Sequence, residues 1–559
     1  MSRAVTGPRT GAGRVVDALG AAGVRHLFSL SGNQILSVYD ATIGRGIEIV
    51  HTRHEAAAVH MADAWGRLTE EPGVALVTAG PGHLNALSAL YGALMAESPV
   101  VFLSGHAPLS QLGRGAFQEL DQVGAARPVT KAAWLAKDAA RLDEDIATAL
   151  EIARSGRPGP VHVSLPGDLL EARVLRGEPK ASRAHMEDGA APSPGPSTTA
   201  AAPLDDAAVR AALEMLAAAR RPLILVGPAM GRAARWPSVV RLSRATGIAA
   251  LTMESPRGLN DPWLHMASTR LGEADAVLLL GKRLDYSVRF GEPPGFAAGC
   301  RFAQVDADPA ALARGDRVAL SIAADPVRVA DRMAAAAGAL AWRHQEEWGE
   351  AIRRARRTEP ADWARHRASP ARPIHPLRVC AALQPLLDAG ALLVCDGGEF
   401  GQWVQAGVEA GTRLINGLSG SIGSAIPMAC AAQMACPERA VIAVVGDGTF
   451  GFHALEVDTA ARHGLPVVVV VGNDARWNAE HQLQIQHYGR ERTIACELAP
   501  SRYDELVRSL GGHGELVEDP AGLEPALARA VAAGRPACIN VLIDGLPAPT
   551  YRAAPGPAH

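Results

Sequence analysis

Six short apolar runs, rich in β-branched residues, set the fold this chain can adopt: Gly73–Thr78, Pro99–Ser104, Pro222–Gly227, Ala276–Gly281, Val441–Gly446 and Pro466–Gly472. Runs of this length without polar alternation are strands buried on both faces. The amphipathic stretches between them have helical spacing, and such alternation is the mark of a parallel sheet wrapped by helices. The runs come in three pairs along 559 residues, more chain than one hydrophobic core serves. The fold class read from the sequence is therefore α/β, with three doubly wound parallel-sheet domains at 1–175, 205–338 and 373–545. Two stretches lose the periodicity. Arg176 to Pro203 is rich in Ala, Pro, Ser and Gly, and Arg353 to Pro373 in Arg and Pro, so 176–204 and 339–372 are read as linkers. Pro547, Pro549, Pro555 and Pro557 mark 546–559 as a C-terminal arm.

Charge narrows the partners. Lys plus Arg (55) nearly balances Asp plus Glu (58), and the net charge of -3 offers no basic surface for nucleic acid or an anionic membrane. A small molecule is the expected ligand. Met1 to Gly13 lacks the apolar core of a signal peptide and no run reaches the ~20 apolar residues of a membrane span, so a cytoplasmic location is expected. The seven cysteines include no Cys-x-x-Cys pair, which argues against a disulfide framework or a structural zinc site.

Ligands of doubly wound sheets bind at the carboxyl ends of the strands. There, Val441–Gly446 runs into Gly446-Asp447-Gly448-Thr449. Glycines let a backbone approach phosphate oxygens, and a helix opening after the turn aims its N–H groups at them. Asp447 can hold a hard cation. The neighbouring run ends in Asn473-Asp474, a further oxygen donor. Mg²⁺ takes octahedral oxygen at about 2.1 Å, so Asp447, Asp474 and a nearby backbone carbonyl would complete a site that keeps diphosphate oxygens as ligands.

Together with Glu456-Val457-Asp458-Thr459 and Leu465-Pro466, these residues resemble the diphosphate and metal motif of thiamine-diphosphate enzymes. The resemblance implies metal ligation by Asp447, Asp474 and the main-chain oxygen of Arg476. The family usually closes this motif with two Asn residues, and here the second is Asp474. His51-Thr52-Arg53-His54-Glu55 is similar to the segment that carries the family's activating glutamate, which implies that Glu55 contacts the cofactor's pyrimidine ring. A carboxyl bonded to a ring nitrogen there favours the tautomer that takes the proton from the reactive carbon. Thr78 to Asn85 resembles the family's glycine turn and implies cofactor contacts at Gly80 and Asn85. His54, His83 and His106 fall near the predicted site as candidate proton carriers, His83 among the catalytic residues. Gly115 to Glu119, continuing to Lys131, resembles the substrate-side segment of acetolactate synthases and 2-hydroxyacyl-CoA lyases, which implies catalytic roles for Phe117 and Gln118. Ser421-Ile422-Gly423 matches the place where an apolar side chain forces the cofactor into its bent conformation. Ser421, Ile422, Gly397, Gly398, Gly446, Gly448 and Thr449 complete the implied cofactor contacts.

The resemblance runs from about Ala12 to Asp544 and implies that the outer domains bind the pyrimidine and the diphosphate. In this family those domains meet across a subunit boundary, so a homodimer is the expected minimum and a homotetramer the expected assembly. Arg283-Leu284-Asp285-Tyr286, running to Pro294, and Phe450 to Val457 look like the branch of 2-hydroxyacyl-CoA lyases and oxalyl-CoA decarboxylases. Condensation of 2-oxo acids, as in acetolactate synthases, and decarboxylation of a benzoylformate-type 2-oxo acid are the alternatives. Val226-Gly227-Pro228-Ala229-Met230-Gly231 leaves FAD or ADP open for the central domain. A catalytically silent homologue should have lost Glu55 or Asp447, and both are present. An NAD-dependent oxidoreductase would need a Gly-x-Gly-x-x-Gly turn that the chain lacks.

Overall fold

The computed structural model describes residues 9–174, 204–313 and 317–551. Among them, strands β1 (Arg9–Thr10), β2 (His26–Ser29), β3 (Glu48–His51), β4 (Gly73–Val77), β5 (Val100–His106), β6 (Ala132–Leu135), β7 (Pro160–Pro166) and β8 (Arg173–Val174) belong to the N-terminal region. The central region holds β9 (Pro222–Val226), β10 (Ala250–Thr252), β11 (Ala276–Leu280), β12 (Arg301–Asp306) and β13 (Val318–Ala323). The C-terminal region holds β14 (Leu392–Cys395), β15 (Arg413–Ile415), β16 (Val441–Gly446), β17 (Val468–Asn473), β18 (His513–Val517) and β19 (Ala537–Leu542).

Three parallel sheets result, in the orders β3-β2-β4-β5-β7-β6, β10-β9-β11-β12-β13 and β15-β14-β16-β17-β19-β18. The first and third orders are the same when strands are counted within each sheet. The N-terminal sheet forms one compact unit and the other two sheets together a second. Residues of β4, β5, β9, β11 and β17 are buried throughout, as continuous apolar runs require. Antiparallel β1 and β8 tie the two ends of the N-terminal region together. No helix among the described residues is long and apolar enough to cross a membrane. None of the seven cysteines is in a disulfide, and all but Cys436 are buried.

The linker assigned to 176–204 falls outside the described residues except for Leu204. The one assigned to 339–372 is corrected: it carries the helices Arg343–Arg356 and Trp363–Arg367. Trp348 and Ile352, one helical turn apart, are buried in the central core, and Trp363 in the C-terminal core. Arg353, Arg354 and Arg356 crowd the last turn, where they complement the helix dipole and mask the apolar pattern. The arm is docked through Tyr551. Leu546 accepts from Trp403 Nε1 at 3.2 Å, Ala548 N–H donates to Glu399 Oε2 at 2.7 Å, and the Tyr551 carbonyl accepts from Ser268 Oγ at 2.8 Å.

Candidate active site

Strands β16 and β17 run in register, Gly446 beside Gly472, so Asp447 and Asn473 leave the sheet side by side at its carboxyl edge. Asn473 is turned to the fold: its Nδ2 donates to Ser501 and Asn540. Asp474 instead lines a cleft with Gly397, Gly398, Ile422, Gly446, Asp447, Gly448, Thr449 and Arg476, all of them positions singled out from sequence. Glu399, Phe400, Trp477, Asn478 and Glu480 line it as well and were not singled out. Ser421 is not among the lining residues; its carbonyl accepts from Asn416 Nδ2.

The glycines are accounted for by close approach. A Cβ on Gly448 would lie 2.7 Å from the Trp477 ring, one on Gly472 would lie 2.3 Å from Phe400, and one on Gly397 would lie 2.9 Å from Ile422 Cγ2. Asp447 is 3% exposed; its Oδ1 accepts from Gly448 N–H at 2.9 Å and its Oδ2 from Arg476 N–H at 3.1 Å. Burial pushes its carboxyl up to about 6. Asp474 is pushed up to about 7, by burial first and by the charge of Asp447 second. Two carboxylates crowded in a low-dielectric cleft are what a divalent cation relieves.

Three helices, Gly398–Gly407, Asp447–His453 and Asn478–Tyr488, open onto this cleft with their first residues. Their N–H groups and positive dipole ends suit an anion. Carboxylates for a hard cation beside helix N-termini for phosphate fit a metal-bridged diphosphate.

In the N-terminal unit, Glu55 opens the helix Glu55–Thr69, capped by His54, whose Nδ1 accepts from Ala56 N–H at 3.1 Å. Glu55 is 8% exposed, and Asn85 Nδ2 donates to its Oε2 at 3.0 Å. Asn85 stands on the helix Pro81–Met95, which starts at Gly80 with φ +56°. A Cβ on Gly82 would lie 2.7 Å from Thr78 Cγ2 and 3.3 Å from Glu55 Oε1, so glycine there lets the turn close on the glutamate.

Gln118 holds φ +59° and its Oε1 accepts from Gln34 Nε2 at 2.9 Å. Phe117 is 71% exposed. His83 is fully buried, packed on Phe102 and His162 with Nδ1 at 3.2 Å from Ser104 Oγ, and burial pushes its imidazole down to about 4. That surrounding makes it a neutral core group under the Gly80 turn. The proton-carrier role expected for it has no open face to act through.

Sequence reasoning also missed Gln122. It is 1% exposed, and its Oε1 accepts from Gly80 N–H at 2.9 Å while its Nε2 reaches Ser104 Oγ, Gly105 O and Ser164 Oγ. It ties the Gly80 turn to β5 and β7. The glycine turn of the central region needs no nucleotide to explain it, since a Cβ on Gly227 would lie 1.9 Å from the Gly281 carbonyl.

Three family descriptions match the chain: "Thiamine pyrophosphate enzyme, N-terminal TPP binding domain" over residues 9–125, "Thiamine pyrophosphate enzyme, central domain" over 209–333 and "Thiamine pyrophosphate enzyme, C-terminal TPP binding domain" over 396–541. Similar proteins include "Acetolactate synthase large subunit IlvG" of Mycobacterium tuberculosis, 36% identical over 546 residues, which cover 95% of this chain and 96% of that protein. "2-hydroxyacyl-CoA lyase" of Oryza sativa is 31% identical over 553 residues, 94% of each chain. "2-hydroxyacyl-CoA lyase" of Arabidopsis thaliana is 29% identical over 552 residues, 95% of each.

Proposed function

The chain belongs to the thiamine pyrophosphate enzyme family, and on that premise we propose that it is a Mg²⁺-dependent enzyme that makes or breaks a carbon–carbon bond next to a carbonyl carbon. The observation that carries this reading is the single cleft that gathers Gly397, Gly398, Ile422, Asp447, Gly448 and Asp474 at three helix N-termini. Thiamine diphosphate, when bound, supplies the electron sink that stabilises a carbanion next to the carbonyl carbon.

The chain's residues supply the rest. Asp447, Asp474 and the Arg476 carbonyl would hold Mg²⁺, and Gly397, Gly398, Gly446, Gly448 and Thr449 would line the diphosphate. Ile422 would press on the cofactor as an apolar wedge. Glu55 would exchange a proton with the pyrimidine ring, its carboxyl oriented by Asn85. Phe117 and Gln118 are read as facing the substrate. Exposed Leu84 (48%) and Tyr91 (42%) on the helix that bears Asn85 support assembly with a second copy, as a dimer at least and a tetramer in the fuller reading. A cytoplasmic location stays part of the reading.

For the donor, we propose a short 2-hydroxyacyl-CoA or oxalyl-CoA, on the likeness of the Arg283–Pro294 and Phe450–Val457 segments to that branch. The 36% identity to a protein named acetolactate synthase favours a second reading, condensation of 2-oxo acids. The deciding experiment assays one preparation, saturated with thiamine diphosphate and Mg²⁺, with oxalyl-CoA, with formyl-CoA plus an aldehyde, and with pyruvate. Decarboxylation of oxalyl-CoA, or joining of formyl-CoA and the aldehyde to a 2-hydroxyacyl-CoA, faster than acetolactate formation supports the first reading. Acetolactate from pyruvate with neither CoA substrate converted moves the enzyme to the second.

A further inference from the structure

We infer that Asp396, Asn416 and His453 form a rigid frame whose task is to present Ile422 to the cofactor, with Asp396 as its principal positioning residue. The inference rests on the cofactor reading above. It starts from the backbone around Ile422, where four polar groups between Ser421 and Ala425 are each held by a buried side chain. The Ser421 carbonyl accepts from Asn416 Nδ2 at 2.9 Å. Gly423 N–H donates to Asp396 Oδ1 at 2.9 Å, and the Gly423 carbonyl lies 2.7 Å from His453 Nδ1. Ala425 N–H donates to Asp396 Oδ2 at 3.0 Å.

The three side chains come from three different places: Asp396 just past β14, Asn416 just past β15 and His453 at the end of the helix Asp447–His453. They are 0%, 4% and 8% exposed. Gly423 holds φ +86°, and a Cβ on it would lie 2.4 Å from Phe452 Cβ, so steric closure adds to the polar clamp. Ile422 is flanked on both sides by fixed backbone and is itself only half-buried, lining the cleft.

Asp396 does a second thing at once. The Oδ1 that holds Gly423 also accepts from Gly397 N–H at 2.7 Å. One carboxylate therefore fixes the Gly397-Gly398 wall and the Ile422 wall against each other. Among the described residues no lysine or arginine pairs with it, and its partners are backbone N–H groups. A carboxylate that accepts three N–H bonds cannot be copied by an amide, because one of the two oxygens becomes a donor facing an N–H. A purely structural group would affect folding first. A frame for the wedge should affect cofactor affinity first.

The test titrates metal-loaded protein with thiamine diphosphate, following quenching of the tryptophan fluorescence to which cleft-lining Trp477 contributes, alongside thermal unfolding without cofactor. Asp396→Asn should weaken cofactor binding by at least tenfold while the melting temperature falls no more than in a core variant such as Val470→Ala, whose cofactor affinity stays near wild type. Asn416→Ser, a milder loss at the same segment, should weaken binding in the same direction and serves where Asp396→Asn does not fold. In an Ile422→Ala background, Asp396→Asn should cost less affinity than it does alone, since the part of its effect that runs through Ile422 is already lost and only the part that runs through Gly397 remains. Wild-type affinity in either frame variant overturns the inference, as does full additivity with Ile422→Ala. Absence of binding by the wild-type protein overturns the cofactor reading itself and with it this inference.

Discussion

Asn85 holds Glu55 from one helix to the next, its Nδ2 donating to Oε2 at 3.0 Å across thirty positions of sequence. The bond leaves Glu55 a single preferred orientation at the start of its helix and leaves Oε1 free of this partner.

Glu55→Gln should keep the affinity for thiamine diphosphate and lose about 10²- to 10⁴-fold in kcat, the range a positioned proton-transfer group contributes. Asn85→Ala should cost less, because it loosens Glu55 without removing it. Calorimetry for affinity and steady-state assays for kcat separate the two effects, and a Glu55→Gln enzyme at near wild-type rate would sink the role given to Glu55.

Asp447→Ala should abolish retention of both Mg²⁺ and thiamine diphosphate, because the remaining donors leave the diphosphate charge uncompensated. Asp474→Asn keeps an oxygen ligand but removes one of two crowded carboxylates. Mg²⁺ affinity measured without cofactor should then fall about tenfold, since ligand charge sets affinity at such sites, while binding of cofactor with excess Mg²⁺ persists. Isothermal titration with Mg²⁺ alone and with the pair reads both outcomes.

Gln122→Leu should destabilise the N-terminal unit by about 1–3 kcal/mol, because it strands Gly80 N–H in a buried site and removes the donor that the Gly105 carbonyl and the Ser104 and Ser164 hydroxyls share. Urea denaturation measures the loss. Unchanged stability would mean that the Gly80 turn does not need this anchor.

Asp145 tests pH dependence away from the cleft. Burial pushes its carboxyl from 3.8 to about 6 although Trp134 Nε1 donates to it at 3.0 Å. The folded form holds the proton more tightly than the unfolded chain, so the stability from this group is complete below about 4 and is lost as pH rises through about 6. Asp145→Asn keeps an oxygen for Trp134 and carries no charge. It should be more stable than wild type above pH 6, by at most ~3 kcal/mol, and equal to it near pH 4. Thermal melts at the two pH values check the sign.

Much of this fold could be read from runs that are buried on both faces: Val441–Gly446 is β16 to the residue, and Gly73–Thr78 is β4 with one residue to spare. The edge strands were less legible. Val318–Ala323 and His513–Val517 are partly exposed, and their mixed polarity does not stand out from loop sequence. The helix Arg343–Arg356 was obscured by its charge, although Trp348 and Ile352 already had the spacing of a buried stripe.

At the site, the same division holds. Asp447 and the glycines around it form a local signal, whereas Asp396 and Gln122 act on backbone groups 27 to 42 positions away. Nothing in a linear pattern connects those. His83 lies two residues from Asn85 in the chain, yet the turn of the helix sends one side chain to Glu55 and the other into the core.

The shared strand order of the first and third sheets bears on ancestry. Matched strand for strand, β4 pairs with β16, so the turn at Gly80 and the turn at Gly446-Asp447-Gly448 occupy the same place in two copies of one topology. Such equivalence is what duplication of an ancestral domain would leave. On that view one copy carries its acidic residue in that turn, at Asp447, while the other carries its acid one strand earlier, at Glu55 after β3. A grip on phosphate and a grip on a ring would then be two specialisations of a single inherited loop system.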